Sequence, residues 1–173
     1  FQYGPFVIGT ARPETKFGDK YIVMHQDDTR YAEYKHGQKL EVEWINGPIT
    51  ATVIKDEASD PEVGSGVMTI TPWHSQVDFE LAEKHNLDKE QIIDKYGKLL
   101  PIAQEFAGMK ITEAREKIVE KLNKKGLLVK VDENYVHNIS TSERTGAIIE
   151  PQIMEQWFIG VDKPFTIPYS EIP

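Results

Sequence analysis

The run Lys39-Leu40-Glu41-Val42-Glu43-Trp44 alternates apolar and charged residues, Asn46-Gly47-Pro48 interrupts it, and Ile49 to Ile54 resumes the alternation with Thr50 and Thr52 between apolar positions. A period of two commits both runs to strands with one buried face, and the break between them predicts a hairpin. Phe6-Val7-Ile8-Gly9-Thr10 and Tyr21-Ile22-Val23-Met24-His25 read as two more short strands joined by a polar, proline-containing turn. Val67 to Thr71 is another, entered through Gly64-Ser65-Gly66 and ended by Pro72.

The period changes at Ser75. Val77, Phe79, Leu81, Ala82 and His85 suit a short helix, and Ser75-x-x-Asp78 fits a capping box at its start. Thr112 to Lys125 predicts a longer helix with Ala114, Ile118, Val119 and Leu122 on one face. Glu113/Lys117 and Glu120/Lys124 are spaced as i,i+4 pairs, and Gly126 stands as the stop. Leu127 to Val131, Tyr135 to Ile139 and Ala147 to Ile149 return to strand character. Many short strands with two inserted helices predict an α+β fold with a β-barrel-like core of short, mostly antiparallel strands.

The chain has no cysteine, which removes disulfides, thiolate metal sites and cysteine redox chemistry. No stretch reaches a membrane span and the start lacks a signal-peptide pattern, so a soluble, cytoplasmic protein is expected. The net charge of -8 disfavours autonomous nucleic-acid binding, which draws its affinity from Lys and Arg. Arg115, Lys121, Lys124 and Lys125 form the one obvious basic patch in the sequence, and a solvated helix face accounts for it without a ligand.

Two segments concentrate chemistry. In Thr10-Ala11-Arg12-Pro13-Glu14-Thr15 the proline fixes its own backbone and biases Arg12 toward an extended form, presenting a hydroxyl, a guanidinium and a carboxylate together. Such a turn suits a phosphate or ribose, or is a polar strand connection with an internal Arg12–Glu14 ion pair. In Thr71-Pro72-Trp73-His74-Ser75-Gln76-Val77-Asp78 a strand end delivers Thr71 and His74 to the start of a helix that points its free N–H groups and Asp78 into the same space. Asp78 either caps its own helix or binds a ligand, and His74 alone is equally a hydrogen-bonded structural histidine. Neither a nucleophile elbow nor a His-Glu-x-x-His spacing occurs, so a serine triad and a catalytic metal are not expected.

Together, Thr10 to Thr15 and Gly64 to Asp78 resemble the editing insertion of the valyl, isoleucyl and leucyl aminoacyl-tRNA synthetases. Its pattern is a Thr-Thr-Arg-Pro-Glu-Thr-like turn and a later Gly-Thr-Gly…Thr-Pro-Ala-His-x-x-x-Asp run. Arg12-Pro13-Glu14-Thr15, His25-x-x-Asp28-x-Arg30-Tyr31 and the stretch from His137-Asn138 through Glu150-Pro151 to Gln156-Trp157-Phe158 favour the valyl branch. The resemblance runs from about Phe6 to Ile159. It implies an editing domain over 6–159, with 1–5 and 160–173 as linkers to the catalytic domain of the same polypeptide.

That resemblance implies hydrolysis of the ester of threonine mischarged onto tRNA(Val), with the charged tRNA 3′ end as partner, a monomeric domain, no membrane and no cofactor for editing. By position, the catalytic set is Asp78, Thr71 and His74: Asp78 matches an aspartate that holds the substrate α-ammonium, Thr71 and His74 line the same pocket with Thr71 a candidate for orienting the side chain or the attacking water, and Thr10 and Arg12, with Glu14 and Thr15, form the turn near the terminal adenosine. Ser75 stands where the valyl enzymes frequently carry aspartate, Val63 where an aromatic is frequent and Thr69 where lysine is frequent. Ser142 and Thr145 replace a Cys-x-x-Cys pair found in some relatives, which excludes zinc there. The chain contains neither the His-Ile-Gly-His nor the Lys-Met-Ser-Lys-Ser signature, so ATP would serve only a synthetic domain absent from it. A free-standing deacylase and a non-catalytic tRNA-end binding module are the alternatives.

Overall fold

The computed structural model describes residues 1–136, 138–160 and 162. His137, part of the valyl-like signature, lies outside the described residues, as does the expected linker 160–173 apart from Gly160 and Asp162. Strands β1 (Gln2–Tyr3) and β2 (Phe6–Val7) form an antiparallel pair. Strands β3 (Tyr21–Met24), β4 (Lys39–Trp44), β5 (Gly47–Lys55) and β6 (Val67–Thr69) form a four-stranded sheet in the order β4-β5-β3-β6. The helices are α1 (Gln76–Lys84) and α2 (Ile111–Lys124), with short 3-10 turns at Pro13–Gly18, Thr29–Tyr31 and Pro101–Phe106. The class is α+β, and the sheet is open: the described strands do not close into a barrel.

The expected hairpin is β4 and β5, with Leu40 opposite Ala51 and Val42 opposite Ile49. Pro48, which interrupts the sequence pattern, lies inside β5 opposite Glu43. It is tolerated because β3 pairs only with Thr52 to Lys55, in parallel, so the missing N–H leaves no ladder bond unmade. β3 and β6 pair antiparallel.

β3 is covered on both faces. Ile22 and Met24 join the larger core with Tyr3, Trp44, Val53, Ile92, Ile118 and Leu122, whereas Val23 joins Ile54, Ile70 and Leu81 beneath α1. A strand buried on both sides carries a continuous apolar run, and Ile22-Val23-Met24 is one. α2 buries Ala114, Ile118 and Leu122, a strict i,i+4 stripe. It ends as expected at Gly126, whose positive φ lets Gly126 N–H reach Asn123 O and Leu127 N–H reach Leu122 O. α1 ends in the same way with Asn86 in the left-handed position.

Three expected strands are not formed. Residues 127–131, the described part of 135–139 and 147–149 carry no strand beyond a single bridge between Thr141 and Ile148. Val129, Val131, Val136, Ile139, Ile148 and Ile149 are exposed. Strand propensity measures fit to a half-buried pleated surface, and these residues have no such surface to meet. Tyr3, expected in a linker, is fully buried edge-on against the Trp44 ring.

Asp56, at the end of β5, fixes the C-terminus of α1: its Oδ2 lies 2.8 Å from Lys84 Nζ and 2.7 Å from His85 Nε2. Burial pushes the Asp56 carboxyl up, but the hydrogen bonds from Lys84, His85 and the Ala58 N–H prevail and hold it down at about 2. A depressed acid contributes stability above its unfolded value that is lost as pH falls through the folded one. Asp56→Asn is expected to cost about 1–2 kcal/mol at neutral pH. In urea unfolding the gap to wild type closes between the ordinary 3.8 and about 2; a gap independent of pH would show that charge is not its source.

Candidate functional site

β6 ends at Thr69 because β3 has no residue beyond Ile22 that pairs with it, so Thr71 leaves the sheet with its N–H free of the ladder. Asp78 supplies the acceptor: its Oδ2 takes the Thr71 N–H at 2.8 Å. Ser75 is the N-cap of α1, its Oγ accepting the Asp78 N–H at 3.3 Å. One arm of the expected capping box is therefore made, and one oxygen of the Asp78 carboxylate is spent on Thr71, across the corner where a strand end meets a helix start. Asp78 itself lies in the first turn of α1, where the helix dipole favours negative charge.

His74 is buried, and both ring nitrogens are engaged. Nε2 accepts the Ile92 N–H at 2.9 Å and the Ile93 N–H at 3.1 Å, which places the proton on Nδ1. Nδ1 is 3.3 Å from Pro151 O and 3.2 Å from Glu150 Oε1. No ring lone pair is left to take a proton from water, so His74 anchors the corner to the core loop 91–93 and to the segment 150–152. Gln152 completes that tie, accepting from Trp73 Nε1 at 3.1 Å and donating to Ile93 O at 3.2 Å.

Arg12 reaches the same corner from the other side, donating to His74 O at 3.2 Å, to Glu150 Oε2 at 2.5 Å and to Glu14 Oε1 at 3.4 Å. Burial works against the Arg12 charge, and the Glu150 and Glu14 carboxylates outweigh it, so its pKa stands above the ordinary value. Burial likewise opposes ionisation of Glu150, and His74 and Arg12 overcome it, holding that carboxyl below its usual range. Glu150 belongs to the C-terminal signature read in the sequence, but nothing local in Ile149-Glu150-Pro151 marks it as the partner of residues so far away in the chain.

The turn Thr10 to Thr15 runs into the 3-10 turn Pro13–Gly18. Thr10 Oγ1 accepts the Arg12 N–H, and Thr15 Oγ1 donates to Arg12 O, so both hydroxyls brace the Arg12 backbone. Glu14 is 0% exposed and receives a two-pronged contact from Arg115 of α2, at 3.0 and 2.7 Å. Thr69 is buried with its Oγ1 accepting from Lys16 Nζ at 3.1 Å. Val63 is 68% exposed in the loop before β6. The structure thus brings Thr71, His74, Ser75, Asp78 and Arg12 to one corner, with Glu14 and Thr69 beneath the surface.

The basic patch read on α2 is consumed in pairs. Arg115 is held by Glu14, Lys121 by Glu105 and Asn46, Lys124 by Glu120, and Lys125 by Glu43. None of the described helices is long and apolar enough to cross a membrane.

No family model matches the chain. Among curated proteins it is 41% identical over 156 residues to the valine–tRNA ligase of Streptococcus agalactiae. It is 45% identical over 156 residues to that of Ureaplasma parvum and 39% identical over 159 residues to that of Staphylococcus carnosus. These matches cover 90–92% of the chain. The chain is homologous to one segment of the valine–tRNA ligases. It spans only 17–18% of those enzymes' length. The aminoacyl-tRNA synthetase relationship expected from Thr10–Thr15 and Gly64–Asp78 is therefore found in whole-chain similarity.

In this ligase segment the Glu14–Arg115 contact joins the site's turn to α2. Removing Arg115 leaves a carboxylate fully buried beside a more distant Arg12, so Arg115→Met is expected to lower stability by about 2–3 kcal/mol. Adding Glu14→Gln removes the stranded charge and is expected to restore at least half of that loss. Chemical denaturation of the two variants decides; equal losses would show that the charge of Glu14 is not what Arg115 compensates.

Proposed function

We propose that this chain is the editing domain of a valine–tRNA ligase and hydrolyses the ester of threonine mischarged onto tRNA(Val). The need for such a domain is physical: a hydrophobic pocket discriminates valine from its near isostere threonine by only about a hundredfold. A second, polar site makes up the deficit by hydrogen-bonding the threonine hydroxyl, which valine cannot satisfy.

One observation carries the reading: among the described residues the Asp78 side chain is fixed by the Thr71 N–H through Oδ2 alone, which leaves its second carboxylate oxygen for a cation. The α-ammonium of an aminoacyl ester is such a cation, and a charge-assisted contact holds it. Thr71 then presents its hydroxyl beside the bound ester. The Ser75 oxygen accepts the Asp78 N–H, so its own O–H remains a donor for the hydroxyl of threonine. Arg12 lies across the corner, where its guanidinium suits the phosphate and ribose of the tRNA end. The aminoacyl ester is already activated, and placing a water beside it supplies most of what hydrolysis requires.

The test is deacylation of threonyl-tRNA(Val) by the full polypeptide that the gene encodes. Asp78→Asn keeps an acceptor for the Thr71 N–H and removes the charge. It is expected to slow deacylation by about 100-fold or more, the worth of a lost charged contact made to the reacting substrate. Its melting temperature should stay within a few degrees of wild type, about what a surface-adjacent isostere costs. Wild-type rates in Asp78→Asn would refute the assignment.

A further inference from the structure

Thr71 also meets a second carboxylate, one that the hydrolytic scheme does not use. Asp19, just after the 3-10 turn, is fully buried, and its Oδ1 is 3.3 Å from Thr71 Oγ1 and 3.4 Å from Lys16 Nζ. Its Oδ2 is buried without a hydrogen-bond partner among the described residues. Lys16 is itself buried, and its ammonium also meets Thr69 O at 3.4 Å and Thr69 Oγ1 at 3.1 Å. The Tyr3 hydroxyl donates to Asp19 O at 2.7 Å and fixes the backbone at this point. Gly18 allows the approach: a Cβ there would come within 2.9 Å of Ile92 Cδ1 and 3.5 Å of Thr71 Cγ2.

We propose that Asp19 is a positioning residue for ester hydrolysis, accepting the hydroxyl proton of Thr71 as a hydrogen bond and so turning the Thr71 oxygen lone pairs toward the attacking water. The proposal rests on the editing reading above and assigns it a residue outside the surface corner.

An ionised carboxylate only accepts hydrogen bonds, so beside Asp19 the Thr71 hydroxyl must donate inward. Its oxygen then keeps its lone pairs to accept with, able to take a hydrogen from a water and leave the water's lone pair directed at the ester carbonyl. A protonated Asp19 carries an O–H donor as well and is a weaker acceptor, so the preference is weakened. The groups facing Asp19 are Lys16 from the 3-10 turn, Tyr3 from β1, and the hydroxyls of Thr69 and Thr71 from the β6 end; Asp78 meets Thr71 through the backbone N–H. Burial pushes the Asp19 carboxyl up to about 6, against Lys16 and the two hydroxyls, so the change falls at a pH where the enzyme can be assayed.

The experiment follows threonyl-tRNA(Val) deacylation by the full polypeptide from about pH 5 to about pH 8, a span that brackets the titration of Asp19. The wild-type rate should fall as pH drops through about 6. Asp19→Asn should lower the neutral-pH rate about 10- to 100-fold, the range for losing a hydrogen bond to a charged group, and abolish this acid limb. Lys16→Met removes the cation that favours ionised Asp19, so the limb should move to higher pH. In a Thr71→Val background Asp19→Asn should cost nothing more, since the hydroxyl it orients is gone. An unchanged rate and limb in Asp19→Asn, or losses that multiply in the double variant, overturn the proposal. Should Asp19→Asn melt below the assay temperature, an acid limb unmoved by Lys16→Met overturns it equally. A wild-type polypeptide with no deacylase activity refutes the editing reading and this inference with it, whereas an active wild type indifferent to Asp19 refutes this inference alone.

Discussion

A carboxylate sealed from water is costly unless cations surround it, and Glu14 is placed where that requirement organises its neighbours. Arg115 grips it with two N–H groups from α2, and Arg12 approaches it from the turn that borders the site. The 3-10 turn, the long helix and the guanidinium of the site are thereby held as one piece. The turn's second buried pair, Lys16 with Asp19, extends the same logic inward to the end of β6. Within Pro13 to Asp19 the chain buries two acids and a lysine: Glu14 is met by Arg115 of α2, and Lys16 and Asp19 meet each other and the hydroxyls of Thr69 and Thr71.

The corner above depends on a different economy of hydrogen bonds. Thr71 leaves the sheet with an unsatisfied N–H, the helix α1 begins with unsatisfied N–H groups, and Asp78 and Ser75 answer one of each. Sheet end and helix start are therefore coupled through side chains that also face the proposed ligand. A ligand cation at Asp78 is felt at Thr71 through a single 2.8 Å hydrogen bond. His74, with both ring nitrogens occupied, contributes rigidity: it ties the same corner to Ile92 and Ile93 in the core and to Pro151 in the C-terminal segment.

Local pattern made much of this legible. The alternation of Lys39–Trp44, the stripe Ala114, Ile118, Leu122 and the stop at Gly126 are each found where periodicity and capping place them. Such signals are read over a few residues and do not depend on the rest of the chain. The three C-terminal strands failed because Val129, Val136 and Ile149 have strand propensity without an edge to pair with, which no window of sequence reveals. At the site, Ser75 and Asp78 were legible as a helix start. What was not legible is the acceptor role of Asp78 toward Thr71, the Glu150 contact to Arg12, and the burial of Glu14 by Arg115, because each joins segments far apart in the chain. Asp19 gave no signal at all: a lone aspartate after Phe17-Gly18 reads as a turn residue until the fold closes over it.

Thr69 shows how a departure from the family pattern is absorbed. The resemblance leads one to expect lysine at this position, and a threonine stands there on β6 with the ammonium of Lys16 3.1 Å from its hydroxyl. The positive charge has not disappeared from the neighbourhood; it arrives from the 3-10 turn instead of the strand. The change of origin matters electrostatically. Lys16 is rooted in the 3-10 turn and is confined between Thr69 and Asp19. Confinement ties its charge to Asp19, and through Asp19 to Thr71.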